Sequence, residues 1–372
     1  MKLTIERGAL LRSLGHVQSV VERRNTIPIL SNILIEGAKD ALHVTATDMD
    51  LSIVERTAAS VGQAGATTVP AHTLYDIVRK LPEGAQVEID GSSDAGQLAL
   101  RAGRARFSLA TLPREDYPAV NVGELPHRFH IPAEEMRTLI DRTSFAISTE
   151  ETRYYLNGIY VHAHTQGKTK SLRAVATDGH RLARVELGLP QGAGEMPGVI
   201  VPRKAVAELR KLIEELDGAI EVALSDTRIS FAFADVLLTS KLIDGSFPDY
   251  HRVIPTGNDK MLTVDRKSFM EAVDLVATIS SEKSRAVKLA LKEGHLTLSA
   301  SSPENGTATE ELEAAYEGQP IEIGFNSRYL IDILRQIQGD NAEIALADAA
   351  SPTLMKDPAN GTALYVLMPM RV

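Results

Sequence analysis

The sequence has 372 residues, 44% of them hydrophobic and 24% charged, with 40 Lys and Arg against 49 Asp and Glu and a formal charge of −9. It contains no cysteine, which excludes disulfides, thiol nucleophiles and cysteine-ligated zinc and favours a reducing, cytoplasmic location. The start of the chain has no apolar signal core, and no run approaches the roughly 18 apolar residues of a membrane span, so no membrane association is predicted.

The length exceeds that of one ordinary domain and predicts two or three. The acidic balance argues against nucleic-acid binding only as an average, because phosphate binding requires one basic surface with the acidic residues elsewhere. The ten histidines show no metal-ligand spacing, and the chain has no P-loop or dinucleotide-binding fingerprint. Neither a metal nor a cofactor is predicted.

Three stretches of the chain share one order of elements. Each opens with a short alternating strand, which starts at Leu3, Phe129 and Leu262, and these starts are 126 and 133 residues apart. A helix with one apolar stripe follows each strand. The stripes are Leu10, Leu14, Val17 and Val21; Met136, Leu139, Ile140 and Ile147; and Phe269, Val273 and Val276.

A second helix is predicted in each stretch after a set of strands. It begins after Pro70, after Pro202 and after Asn326, since proline fits the first helical turn and Asn326 offers a cap. A repeat of this length is far beyond the roughly 20 to 50 residues of solenoid repeats. The sequence therefore predicts an α+β protein of three structurally repeated domains, 1–125, 126–256 and 257–372, with linkers near 121–126 and 255–259.

The second helices carry basic residues at equivalent positions. Aligned on their starts, they place His72 opposite Lys204 and Arg328, and Arg79 opposite Lys211 and Arg335. Seven residues at about 100° per residue return to nearly the same face, so each helix presents a basic pair away from its apolar stripe. The first helices add further basic residues, fewest in the third copy: Arg7, Arg12, His16, Arg23 and Arg24; Arg137 and Arg142; and Arg266 and Lys267. Solvated surface helices often look like this, but recurrence in all three copies favours a shared surface that contacts a phosphate backbone.

The stretch Ala176-Thr177-Asp178-Gly179-His180-Arg181-Leu182-Ala183 has a weaker copy in Ala46-Thr47-Asp48-Met49-Asp50-Leu51. Asp178 and His180 could form an acid/base pair, which leaves a hydrolase as one interpretation. The alternative is a turn at the end of a strand, which explains Asp48 equally well. The Met-Pro-Met segment near the C-terminus suits an adaptable peptide groove, although a plain core strand is also compatible with it.

Taken together, several motifs resemble one family, the bacterial replicative sliding clamp, which is the beta subunit of DNA polymerase III. The motifs are the 176–183 stretch, Tyr154-Tyr155-Leu156-Asn157-Gly158, Val201-Pro202-Arg203-Lys204, Phe247-Pro248-Asp249-Tyr250 and Met368-Pro369-Met370-Arg371. The resemblance covers the whole chain in order. It implies the DNA-clamp fold, with helices lining the inner face of a ring and antiparallel sheets outside. It also implies a non-catalytic, head-to-tail homodimer that encircles double-stranded DNA without sequence specificity and slides along it.

The resemblance further implies a pocket for a short linear motif of the replicative polymerase catalytic subunit, the clamp loader and other clamp-binding proteins. Its residues would be Leu156, Thr177, Gly179, His180, Arg181, Leu182, Pro248, Arg252, Val253, Asn326, Tyr329, Val366, Met368, Pro369, Met370 and Arg371. Three positions depart from the family pattern and bear on peptide preference. They are Ser284 in place of a bulky aromatic residue, Pro352 in place of a serine and Val372 in place of a final leucine.

Two further surfaces follow from the same resemblance. The dimer contact would use Arg104, Arg106, Phe107 and Leu109 against Thr278, Ile279, Glu310, Glu311 and Glu313, although an ordinary charged edge strand would look similar. The DNA-facing residues would be Arg24, Arg79, Arg153, Tyr154, Tyr155, Arg203 and Lys204. Tyr154 and Tyr155 could instead be core or interface aromatics. A peptide-binding scaffold that never meets DNA, and a hydrolase using Asp178 and His180, remain the alternative functions.

Overall fold

The element order strand, helix, strands, helix, strands occurs three times along the chain. The computed structural model describes residues 1–94, 96–280 and 285–372, with the backbone alone at 92–94. Strands are numbered β1–β26 and helices α1–α6 in chain order. The helices are α1 (Arg7–Val17), α2 (Ala71–Lys80), α3 (Ala133–Asp141), α4 (Arg203–Leu212), α5 (Arg266–Ala277) and α6 (Ser327–Leu334). Short 3-10 turns occupy Pro28–Ser31, Arg114–Asp116, Ser144–Ala146, Glu151–Leu156 and Tyr250–Arg252.

The second helix of each repeat begins where the sequence predicts, at Ala71, Arg203 and Ser327. Glu6 caps α1 by accepting the Ala9 amide at 2.8 Å, and Asp265 caps α5 through the Ser268 amide at 2.7 Å. Asn326 accepts the amides of Arg328 and Tyr329 at 3.0 and 3.3 Å, so the predicted cap of α6 is confirmed. The apolar stripes are buried, with Leu10, Leu14 and Leu74 at 0% exposure.

The chain divides into two compact units, each of which holds two antiparallel sheets. Unit 1 comprises Met1–Arg137, Pro190–Pro197 and Lys204–Leu242. Its first sheet contains, in spatial order, β5 (Ser60–Gln63), β1 (Lys2–Glu6), β7 (Gln86–Asp94), β8 (Gln97–Ala102) and β9 (Ala105–Ala110). Its second contains β10 (His127–Pro132), β15 (Ala219–Leu224), β16 (Arg228–Phe233), β17 (Val236–Lys241), β4 (Leu51–Ala58), β3 (Ala41–Thr47), β2 (Asn32–Ala38) and β6 (Gly65–Pro70).

Unit 2 comprises Thr138–Leu189, Gly198–Arg203 and Ile243–Val372. Its larger sheet contains β14 (Val199–Pro202), β11 (Gly158–Gln166), β12 (Thr169–Thr177), β13 (Arg181–Gly188), β26 (Asn360–Leu367), β25 (Thr353–Asp357), β24 (Asn341–Leu346), β18 (Lys260–Asp265) and β22 (Ala315–Tyr316). Its smaller sheet contains β21 (Gly306–Glu313), β20 (His295–Ser302), β19 (Ala286–Lys292) and β23 (Ile321–Asn326).

The larger sheet of each unit joins strands of two predicted repeats. In unit 1, β17 pairs with β4, and Leu238 lies opposite Ile53. In unit 2, β13 pairs with β26, and Leu182 lies opposite Val366. Residues of the central repeat therefore contribute to both units, while the predicted linkers 121–126 and 255–259 contain neither helix nor strand.

Three arginines of the first helices close the ends of the second helices. Arg7 donates to the carbonyls of Val78 and Arg79 at 3.0 and 2.6 Å. Arg137 donates to the carbonyls of Ile213 and Leu216 at 2.7 and 3.0 Å, and Arg266 donates to that of Gly339 at 3.1 Å. Val78 and Arg79 lie in the last turn of α2, where carbonyls lack intrahelical partners, whereas Ile213, Leu216 and Gly339 lie in the segments that follow α4 and α6. The positive charge at these three positions thus stabilises each repeat.

Candidate partner-docking and nucleic-acid sites

The Thr177–Arg181 turn joins β12 to β13 in unit 2. The Thr177 hydroxyl donates to the Arg181 carbonyl at 2.7 Å and accepts the Gly179 amide at 3.1 Å. Asp178 Oδ1 accepts the amides of His180 and Arg181 at 2.9 and 3.0 Å. Gly179 has φ +88°, a left-handed conformation that glycine adopts without strain.

The copy of this turn in unit 1 has the same hydrogen bonds. Thr47 donates to the Leu51 carbonyl at 3.0 Å and accepts the Met49 amide at 3.0 Å. Asp48 Oδ1 accepts the amides of Asp50 and Leu51 at 3.0 and 2.7 Å. Met49 takes the place of the glycine, with φ +81°. The Thr-Asp turn is therefore architectural, and Asp178 holds the backbone instead of forming an acid/base pair with the His180 ring.

The Arg181 side chain is buried and fully engaged. Its Nη1 donates to Asp332 Oδ2 at 2.7 Å, its Nη2 to the Phe145 carbonyl at 2.6 Å, and its Nε to Asp178 Oδ2 at 3.1 Å. The guanidinium carbon lies 4.3 Å from the centroid of the Tyr329 ring and 5.1 Å from that of Phe145. Arg181 thus fixes α6 and the Ser144–Ala146 turn to the end of β13.

The predicted docking residues His180, Tyr329 and Met368 are brought together beside this arginine. The His180 ring stacks on the Tyr329 ring with centroids 6.1 Å apart and an interplanar angle of 20°. The Met368 amide donates to the His180 carbonyl at 2.9 Å, and the Met370 amide donates to the Gly324 carbonyl at 2.8 Å. The C-terminal segment is therefore held at two points by backbone hydrogen bonds, and the Met368 side chain remains exposed.

An apolar cluster underlies the same region. It contains the buried residues Val175, Leu182, Tyr250, Leu364 and Val366, with Tyr160, Phe247, Ile254 and Leu354 packed against it. Among the predicted pocket residues, Leu156, Leu182 and Val366 are thus buried, whereas Val253 is 42% exposed and Met368 36% exposed. The former group is enclosed, and the latter group offers accessible apolar surface.

The exposure and hydrogen bonds of the remaining predicted pocket residues are as follows. Arg252 is exposed and pairs with Asp249 at 3.1 Å, while Asn326 is occupied as the cap of α6. The Pro352 carbonyl accepts the side-chain amide of Asn258 at 3.0 Å. Val372 is 62% exposed at the chain end, and Ser284 lies outside the described residues. Pro369 and Met370 are half-buried, and Pro248 and Arg371 are exposed.

The predicted DNA-facing residues fall into two groups. Arg24, Arg79, Tyr154, Arg203, Arg328 and Arg335 are exposed, although Arg79 also pairs with Asp76 at 3.1 Å and Arg335 with Asp332 at 3.8 Å. The others make intramolecular contacts: Lys211 donates to the Gly15 carbonyl and to Ser19 Oγ, both at 2.8 Å, and the His72 ring lies 2.8 Å from the Val21 carbonyl.

Lys204 belongs to the second group, because its Nζ pairs with Asp48 at 2.5 Å and with Glu22 at 3.4 Å. Burial is the largest single effect and disfavours its charged form, but the hydrogen bonds and negative charges of Asp48 and Glu22 together outweigh it and raise the pKa of Lys204. Arg153 pairs with Glu150 through two hydrogen bonds of 2.6 and 2.8 Å, and Tyr155 is half-buried with its ring edge-on to Tyr154.

The predicted dimer residues lie on two sheet edges. Strand β9 is the last strand of its sheet in unit 1, with Arg104 and Arg106 exposed and Phe107 37% exposed. Strand β21 is the outermost strand of its sheet in unit 2 and carries Glu310, Glu311 and Glu313. Leu109 is buried, Thr278 is exposed and Ile279 is half-buried.

Sequence reasoning missed three residues of these surfaces. Leu275 on α5 is 61% exposed, and the sequence could have indicated this because the leucine lies outside the apolar stripe of that helix. Asp332 and Phe145, which hold Arg181, left no signal in the pattern, because both contacts join residues distant in sequence. No group of three or more His, Asp or Glu that could hold a metal occurs in the described ranges, and no helix in those ranges is long and apolar enough to cross a membrane.

Comparison with known proteins decides the family. Three family models match in order: the DNA polymerase III beta subunit N-terminal domain at residues 1–121, the central domain at 130–249 and the C-terminal domain at 251–371. The chain belongs to the DNA polymerase III beta subunit family. The beta sliding clamp of Caulobacter vibrioides is 55% identical over 372 residues, and that of Escherichia coli K12 is 39% identical over 373 residues, each covering 100% of both chains.

Solved structures of this family have the same fold. A sliding clamp from Bartonella birtlesii bound to griselimycin superposes with a TM-score of 0.98 at 50% identity and covers 100% of both chains. A Caulobacter crescentus clamp with PEG bound to its putative beta-motif tethering region gives 0.98 at 55% identity, covering 100% of this chain and 99% of that one. The α+β clamp fold is confirmed. Family membership makes the protein a processivity factor of the replicative DNA polymerase and a non-catalytic subunit, so the hydrolase and scaffold alternatives are not favoured.

Proposed function

We propose that two copies of this chain associate head to tail into a closed ring around duplex DNA. The observation that carries this proposal is the pair of sheet edges of opposite charge, β9 with Arg104 and Arg106, and β21 with Glu310, Glu311 and Glu313. Because the two edges differ, the interface is heterologous, and a heterologous interface closes into a ring when its rotation allows. The three predicted domains 1–125, 126–256 and 257–372 would then provide six similar domains per ring.

In this ring, the exposed arginines contact DNA weakly and without reading bases. Arg24, Arg79, Arg203, Arg328 and Arg335 present guanidinium groups that attract phosphates, and such contacts carry no sequence information. The ring is held on DNA by closure, so tight contacts are unnecessary and would oppose sliding. His72, Lys204 and Lys211 mainly stabilise unit 1, because each already has a partner there.

The rim around His180, Tyr329, Val253 and Met368 is the docking site for a short motif of the polymerase, the clamp loader and other partners. An exposed apolar rim above a buried floor, with few polar anchors, is the usual form of a peptide-binding cleft. One solved relative is bound to griselimycin and another has PEG bound to its putative beta-motif tethering region, which supports a ligand-binding site here. We place the assembly in the cytoplasm, in keeping with the absence of cysteine.

The decisive test is retention on circular against linear DNA. The protein is loaded by a clamp loader onto a nicked circle, and half of the sample is then linearised with a restriction enzyme. We expect retention on the circle and loss from the linear form, measured by gel filtration of labelled protein. Equal retention on both would contradict topological binding. As a control, a linear DNA blocked at both ends with bound protein should retain the ring.

A further inference from the structure

Arg184 lies beside the proposed docking site, on the same face of β13 as Leu182. Residues two apart in a strand point to one face and are about 7 Å apart. Arg184 pairs with Val175 on β12 and with Leu364 on β26, and both of these belong to the apolar cluster beneath the docking site. The groove floor formed by Leu182, Val366 and Leu364 therefore leads to this arginine.

The charges around Arg173 and Asp249 are already paired. Arg173 Nε donates to Glu186 Oε2 at 2.6 Å, and its Nη1 donates to the Tyr250 hydroxyl at 3.1 Å. Asp249 accepts from Arg252 Nε at 3.1 Å. These pairs neutralise one another, so they leave no net charge on the face.

Arg184 is the exception. Its Nε is buried and has no hydrogen-bond partner within the described ranges, although Glu186 is only two residues away. Burial lowers the pKa of Arg184, and the positive charge of Arg173 reinforces this shift while Glu186 opposes it. The guanidinium nevertheless stays charged at neutral pH. A buried donor without an acceptor costs about 1–3 kcal/mol, and a bound acceptor would recover part of that energy.

A second cation lies on the far side of Leu364. Lys356 on β25 is exposed and pairs with Leu364, just as Arg184 does from β13. With strands about 4.8 Å apart, the backbones of the two residues are separated by about 10 Å, with one apolar residue between them. Glu343 on β24 lies opposite Lys356 and is the acidic neighbour at this end. The positive charges of Arg184 and Lys356, which continue the apolar groove, together indicate that an acidic group next to an apolar anchor binds here.

We propose that Arg184, assisted by Lys356, binds the carboxylate of an Asp or Glu residue that flanks the apolar anchor of a docked partner peptide. The proposal rests on the proposed function, because the anchor must first occupy the rim at Val253 and Met368. The planar guanidinium offers paired N–H donors that match a carboxylate, which a lysine alone does not. Arg184 thereby selects among partners by the charge next to their motif.

The test uses two fluorescein-labelled forms of the motif peptide from the replicative polymerase catalytic subunit of the same organism. They differ only in whether the residues flanking the apolar anchor are Glu or Gln, and their Kd values are measured by fluorescence anisotropy with the full-length protein. At about 50 mM salt we expect the Glu form to bind roughly fivefold tighter, the size typical of a partly exposed ion pair. The preference should shrink at about 300 mM salt.

Variants assign the preference to Arg184. In Arg184→Gln the two peptides should bind equally, with the affinity of the Gln form unchanged, and Arg184→Lys should restore part of the preference. The matched control is Arg128→Gln, an exposed arginine of unit 1 that pairs with Glu221 at 2.7 Å, and it should keep the full preference. Equal binding of both peptides to the unaltered protein, or an undiminished preference in Arg184→Gln, would overturn the inference. Failure of both peptides to bind the unaltered protein would instead contradict the docking site itself.

Discussion

Arg181 and Tyr329 lie face to face in unit 2, with the guanidinium carbon 4.3 Å from the ring centroid. The arginine is 9% exposed, and its two carboxylate partners, Asp178 and Asp332, are 15% and 20% exposed. This relationship makes Arg181 a stabilising residue as well as a wall of the docking site.

Arg181→Ala should therefore destabilise unit 2 strongly. It leaves the largely buried Asp178 without its counter-ion and Asp332 with only Arg335 at 3.8 Å, and breaking a buried pair costs about 3–5 kcal/mol. Differential scanning calorimetry should show a lower Tm for the transition of unit 2. The matched control is Arg252→Ala, whose side chain is 85% exposed beside Asp249 and should change the Tm little. A melting curve of Arg181→Ala that overlays the unaltered one would contradict the assignment.

Gly179→Ala should destabilise the Thr177–Arg181 turn. A Cβ at φ +88° is strained by about 1–2 kcal/mol, and it would also meet the guanidinium of Arg153, which would have to move from Glu150. We expect faster hydrogen exchange of the His180 and Arg181 amides, measured by mass spectrometry. The reciprocal variant, Met49→Gly, should leave the stability of unit 1 unchanged or raise it, because it removes the same strain at φ +81°. Unchanged exchange in Gly179→Ala would show that the turn tolerates a side chain.

Local pattern was enough to predict the helices and the opening strands of each repeat. The helix starts at Ala71, Arg203 and Ser327 follow from proline and Asn326, whose effects act within one turn of the chain. The pairing of β17 with β4 and of β13 with β26 was not predicted, since a strand pattern shows which face is buried but not which strand lies beside it.

The site residues show the same division between local and distant effects. His180 and Met368 were predicted from the family motif, and the structure brings them together. The paired state of Lys204 and Lys211 could not be predicted, because their partners Asp48 and Gly15 are 156 and 196 residues away. A basic helical face in a sequence does not distinguish a cation that binds DNA from one that binds its own chain.

Two variants of α4 should separate these roles. Arg203→Gln removes an exposed guanidinium, so it should weaken binding to a short duplex and reduce the slope of log K against log salt by about 0.9 for each phosphate that is no longer neutralised. Lys211→Gln removes the hydrogen bonds to Gly15 and Ser19 and should mainly lower the Tm of unit 1. Anisotropy titrations from about 25 to 150 mM salt and calorimetry measure the two effects. Equally weakened DNA binding in both variants would mean that Lys211 also reaches DNA.

Acid should weaken the sheet around β11. Burial lowers the pKa of His162 below its ordinary 6.5, reinforced by Arg173, His164 and His251, although the Ala163 carbonyl at 2.9 Å opposes the shift. As pH falls through about 6.5, His162 is protonated in the unfolded chain but remains neutral in the folded chain. The contribution of His162 to the free energy of unfolding is therefore fully present above pH 6.5. It is lost as pH falls towards the lowered pKa, by at most about 1.4 kcal/mol per pH unit.

The measurement for His162 is hydrogen exchange of the β11 and β12 amides between pH 7.5 and 5.5, corrected for the intrinsic pH dependence of exchange. We expect protection to fall with acidification in the unaltered protein. His162→Phe removes the titrating group and keeps an aromatic ring against Tyr160, so its protection should depend less on pH. An equally steep loss in His162→Phe would assign the effect to another group, with His164 the next to test, since burial also lowers its pKa.

Phe107→Asp should separate the proposed dimer into monomers. Phe107 is 37% exposed on the edge strand β9, and a carboxylate there would be desolvated in the interface and would face the acidic edge strand β21 of the other copy. Light scattering after gel filtration should give about twice 40.3 kDa for the unaltered protein and 40.3 kDa for the variant. The matched control is Met261→Asp, an apolar side chain 44% exposed on β18 that lies outside the predicted interface, and it should stay dimeric. A dimeric Phe107→Asp protein would place the interface elsewhere, because a charge buried without a partner at the centre of a contact is not tolerated at micromolar concentration.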